Sequence, residues 1–96
     1  MKGYRVIGEE RTKRKRKWNT VYVGGIMETT DECYEEVKAL VESDIKGMNA
    51  CEVHAFFVGG NAIWMNNERA VSYTVHIVND DGSISDQVPL DWRCWK

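Results

Sequence analysis

Thr29-Thr30-Asp31-Glu32-Cys33-Tyr34-Glu35-Glu36-Val37-Lys38-Ala39-Leu40-Val41-Glu42-Ser43-Asp44-Ile45-Lys46-Gly47 is the stretch that decides the fold. Thr29 or Thr30 is a good N-cap, and Thr29 with Glu32 has capping-box spacing. Asp31, Glu32, Glu35 and Glu36 crowd the first turns, where the helix dipole favours carboxylates. Tyr34, Val37, Val41 and Ile45 recur at helical spacing, and Cys33, Leu40 and Met48 widen the stripe. Gly47 suits the position just past a helix end. The spacing predicts one amphipathic helix over 30–46, with one face for a sheet and the other strongly acidic.

Upstream of that helix the pattern changes to strands. Tyr4, Val6 and Ile7 mark a first strand, roughly 2–10, and Trp18 to Val23 is dense in β-branched and aromatic residues. No apolar residue falls between Glu9 and Lys17, so that interval reads as the distal part of a β-hairpin. Downstream, Cys51–Val58 and 62–65 read as strands, separated by a Gly59-Gly60-Asn61 turn. Val71, Tyr73, Val75 and Ile77 alternate with Ser72, Thr74, His76 and Val78, the clearest period-two pattern in the chain. Asn79-Asp80-Asp81-Gly82 is a hairpin turn, 83–88 a sixth and edge strand, and Pro89 its stop. Two strands, a helix and then three or four strands predict a single α+β domain over 1–96. Its antiparallel sheet of five or six strands carries one helix on one face.

Length and composition narrow the functional classes. A chain of 96 residues buries only roughly 60–65% of the surface its unfolded form exposes, which leaves little room for a large internal active site. No apolar run approaches the roughly 20 residues of a spanning helix, and Met1-Lys2-Gly3-Tyr4 lacks a signal-peptide core. Cys33, Cys51 and Cys94 are odd in number and far apart, which fits a reducing setting, so the expected location is the cytoplasm. Cys51 and His54 have C-x2-H spacing, but no second ligand pair accompanies them. The glycine pairs have neither phosphate-loop nor dinucleotide-binding spacing. Val23-Gly24-Gly25 recurs as Val58-Gly59-Gly60, too short a string to define a repeat. Neither an enzymatic signature, a cofactor nor a metal is expected.

Charge is where the chain departs from an ordinary small domain. Residues 1–25 carry eight Lys/Arg against Glu9 and Glu10, a net of +6, while residues 26–96 carry five against thirteen carboxylates, a net of −8. The positive half is concentrated in Arg11, Lys13, Arg14, Lys15, Arg16 and Lys17, followed by Trp18, at a hairpin tip spanning 10–18. Alternation along paired strands would put the three lysines on one side and Arg14, Arg16 and Trp18 on the other. Cations held side by side repel unless a polyanion relieves them, which points to nucleic acid or a nucleic-acid-associated protein as partner. Trp18 fits either a stacked base or an anchor to the core. Lysines and arginines on an edge hairpin also block unwanted sheet pairing, which explains the same residues with no ligand.

The alternative function is an inhibitor or adaptor acting on a partner protein. It would use Glu28, Asp31, Glu32, Glu35, Glu36 and Glu42 on the helix, together with Trp92 and Trp95 of an aromatic tail at 89–96. Such a tail also fits a homodimer contact, or docking back onto the sheet for its apolar area. A charged outer face is equally what any solvated surface helix shows.

Overall fold

The computed structural model describes residues 1–89. Its elements are β1 (Gly3–Thr12), β2 (Asn19–Val23), α1 (Thr30–Ile45), β3 (His54–Val58), β4 (Asn61–Met65), β5 (Arg69–Val78) and β6 (Ile84–Gln87). The strands form one six-stranded antiparallel sheet in the order β2-β1-β5-β4-β3, and β6 pairs the far end of β5 beyond β4. This is the α+β arrangement expected, with no helix long and apolar enough to cross a membrane among the described residues.

The helix begins where its caps direct. Thr29 is extended, and its hydroxyl oxygen accepts from the Glu32 N–H at 3.3 Å. The same hydroxyl donates to Glu32 Oε1 at 3.1 Å, so both partners of the capping pair are engaged. At the other end Lys46 leaves helical geometry and Gly47 adopts a left-handed φ of 83°, a conformation that costs glycine nothing. Cys33, Val37 and Val41 are the buried positions, four apart, and Tyr34, Leu40, Ile45 and Met48 pack around them.

That stripe closes over the middle of the sheet. Val6, Ala62, Trp64, Val71, Tyr73 and Val75 all point at the helix, because they alternate along β1, β4 and β5 in matched register. Burying each such valine contributes about 1.5–3 kcal/mol. Gly8 belongs to the same face and makes room for two rings. A Cβ there would lie 2.8 Å from Tyr73 Cε1 and 2.9 Å from Tyr22 Cβ, where the two tyrosines meet edge to face.

Two helix carboxylates bond down to the sheet. Tyr22 donates to Glu36 Oε2 at 2.5 Å, and two turns along Asp44 Oδ2 accepts from Tyr73 Oη and, at 3.1 Å, from Trp64 Nε1. Gly24 lies directly under Glu36, since a Cβ there would meet its Oε2 at 2.3 Å. Glu36 Oε1 is buried without a hydrogen-bond partner among the described residues. These bonds fix the rotation of the helix over the sheet, which apolar packing alone specifies less tightly.

Several boundaries differ from the sequence reading. The first strand runs on to Thr12, because β5 pairs with it residue for residue from Gly3↔Val78 to Thr12↔Arg69. The third strand starts at His54 rather than Cys51. Asn49 captures that segment in a turn, its Oδ1 accepting from Cys51 N at 3.0 Å and its carbonyl from Glu52 N at 2.9 Å. The strand is therefore only 54–58, with most of its side chains exposed. Gly59 and Gly60, with φ of 57° and 88°, form the two-residue hairpin turn that positive φ at both positions permits.

Candidate functional site

β1 and β2 part beyond their last pair, Glu10↔Asn19, and 13–18 connects them as a loop without strand pairing. Extending the ladder would hold like charges opposite one another, which is destabilising. The expected alternation of lysines and arginines on two sides is therefore absent. Lys15 N instead turns back to Thr12 O at 3.1 Å, and Lys13 N donates to Glu68 O at 2.9 Å. The second bond ties the basic loop to the β4–β5 connection, far away in sequence.

Between loop and connection lies a cleft of about 520 Å³. Arg11, Lys13, Lys15 and Arg16 line one side, Met65 and Ala70 supply apolar surface, and Asn66, Asn67 and Glu68 line the other side. Arg14 and Lys17, equally basic, are exposed outside it. None of the cations from Arg11 to Lys17 forms an ion pair among the described residues. Arg69 also borders the cleft, but its guanidinium is committed to Glu10 Oε1 at 2.9 Å and lies over the Trp64 ring. Trp18 is half-buried and holds the Arg11 guanidinium 5.5 Å above its ring centroid, outside the main core cluster. A guanidinium stacked in this way keeps its charge while losing part of its freedom.

Met65, Asn66, Asn67 and Glu68 were not legible as site residues. They reach the cleft only because β5 pairs with β1, a contact between residues more than fifty positions apart.

The acidic face is arranged differently. Glu28, Asp31, Glu32, Glu35 and Glu42 are exposed, whereas Glu36 turns inward to Tyr22. Trp92 and Trp95, and the tail beyond Pro89, lie outside the described residues. Among those described, no three potential metal ligands converge. Cys33 is buried, and its thiol is pushed up to about 11 by burial and by the charges of Glu36 and Glu32, the reverse of an activated nucleophile.

No protein-family model matches the chain, and comparison with curated proteins and with solved structures returned no significant match.

Proposed function

We propose that the protein is a non-enzymatic nucleic-acid-binding protein that holds a stretch of phosphate backbone in the cleft between its basic loop and the β4–β5 connection. The observation that carries this reading is the convergence of Arg11, Lys13, Lys15 and Arg16 on one cleft without compensating ion pairs among the described residues. Guanidinium and ammonium groups gathered in that way favour a bound anion, and phosphate gains most from them. Contacts to backbone position a strand without reading its sequence, so binding is expected to be broadly independent of base order.

The test separates cleft cations from merely nearby ones. A variant with Arg11, Lys13, Lys15 and Arg16 all changed to Gln should lose most of its affinity for a labelled oligonucleotide at low salt. A variant with Arg14→Gln and Lys17→Gln should lose much less. Equal losses in the two variants would reduce the cleft to a diffuse charge effect.

A second reading is supported by Glu28, Asp31, Glu32, Glu35 and Glu42, which are exposed and make no ion pair among the described residues. An adaptor or inhibitor would present that face to a basic partner protein. Absence of oligonucleotide binding at low salt, with the protein folded, transfers support to it.

A further inference from the structure

We propose that the binding path continues from the cleft onto the helix-free face of the sheet, and that its ligand is therefore a single strand rather than a duplex. The phosphates would lie at Arg11, Lys13, Lys15 and Arg16, with bases over Met65, Ile63 and Phe56. The inference rests on the nucleic-acid reading of the cleft and adds to it the strandedness of the ligand and the surface that takes its bases.

Register places the two surfaces in line. Arg11 pairs with Ala70, Ala70 with Met65, and Met65 with His54, so one row of four side chains crosses four strands from the cleft to the sheet edge. The next row on the same face runs Glu9, Ser72, Ile63, Phe56. Core residues such as Trp64, Val71 and Tyr73 alternate with these and point to the helix, so both rows face the opposite way. The single helix among the described residues leaves that face without a second layer. Met65 is 36% exposed there, His54 is exposed, and Ile63 and Phe56 are half-buried. An apolar surface of this kind, with one aromatic ring, offers bases a platform that is tolerant of sequence.

Charge decides between one strand and two. A duplex presents two backbones, with about one charge per 1.7 Å of axis. The clustered cations from Arg11 to Lys17 lie in and beside one cleft, at one end of a chain whose remainder is acidic. A single backbone satisfies that cleft without carrying a second row of phosphates toward the acidic remainder. The carboxylates nearby also give direction. Glu68 lines the cleft, and Glu9 stands on the β1 side of the second row, whereas the β4 and β3 positions of both rows carry none. The strand therefore passes over β4 and β3.

The test is fluorescence anisotropy with a labelled oligothymidylate of about 12 nucleotides, inside the usual site-size range, with a duplex of matched length and thymidine monophosphate as comparisons. The single strand is expected to bind about tenfold more tightly than the duplex. Phe56→Leu keeps apolar volume but removes the ring face, and should weaken single-strand binding about fivefold or more while leaving the duplex unchanged. Photo-crosslinking of a 5-iodouracil oligonucleotide to the unmutated protein gives a readout independent of any folding defect, with adducts expected at Phe56 or Met65. Equal affinity for duplex and single strand, competition by the mononucleotide at oligonucleotide-like concentrations, or crosslinks confined to the loop would each overturn the sheet path and leave the cleft reading standing. No binding of any probe at low salt would remove both.

Discussion

The two faces of one sheet differ in a single respect, the presence of a helix, and almost everything else follows from that. Toward the helix, Val6, Trp64 and Val75 are fully buried, and two carboxylates are drawn in to satisfy Tyr22, Tyr73 and Trp64. On the other face, Val23 and Val58 remain 57% and 58% exposed on strands of the same sheet. Alternation along a strand thus yields a core and a working surface from neighbouring residues. The chain concentrates its packing on one side; on the other, Ile7, Ser72 and Thr74 are buried along the central strands while Met65, Val23 and Val58 stay accessible.

Substitutions one residue apart should break that symmetry most visibly. Trp64→Ala removes a fully buried ring that donates to Asp44 and lies under Arg69, and should cost about 3–5 kcal/mol in urea denaturation. Met65→Ala, on the opposite face, should cost less than about 1 kcal/mol in the same experiment. Comparable losses would mean that the second face is packed as tightly as the first.

The polar layer under the helix offers a finer test. Tyr73→Phe leaves Asp44 with Trp64 as its remaining sheet donor and should destabilise by about 1.5–3 kcal/mol. Alkali acts on the same layer. Tyr22 is pushed up to about 12 by its bond to Glu36, by burial and by that carboxylate's charge. Tyr73 is raised by burial and then by its bond to Asp44. Raised values in the fold mean that this stabilisation is complete below the unfolded tyrosine value of about 10, and is lost as pH rises through the folded-state values. Melting temperature should therefore fall steeply above about pH 10, and less steeply in Tyr22→Phe. A parallel decline in both proteins would show that Tyr22 is not part of the effect.

The smallest effect belongs to the cleft. Glu68→Gln removes the one carboxylate side chain that lines it among the described residues and leaves the backbone carbonyl holding Lys13 in place. Oligonucleotide affinity should rise about two- to threefold, with stability changed by no more than about 0.5 kcal/mol. Weaker binding would mean that Glu68 organises the cations instead of opposing the ligand.

Much of this was readable in the chain wherever the determinant is local. The Thr29–Glu32 cap, the Val37–Val41 stripe and Gly47 all lie in or within two residues of the helix they define, so its extent was legible to a residue. The alternation of 71–78 likewise showed a strand, though not that Ser72 and Thr74 on its second face are buried as well. The cations were legible as a group, but not which of them share a cleft. That depends on Lys13 bonding to Glu68 and on β1 pairing with β5, contacts with no local signature. Asp44 carried no signal of its role, because its partners Trp64 and Tyr73 lie 20 and 29 positions away.

The salt dependence of single-strand binding tests the central claim most directly. With four cations engaging phosphate, log affinity should fall against log salt with a slope of roughly −3, and changing Arg11, Lys13, Lys15 and Arg16 to Gln should flatten it toward zero. A slope left unchanged by those four substitutions would contradict the account.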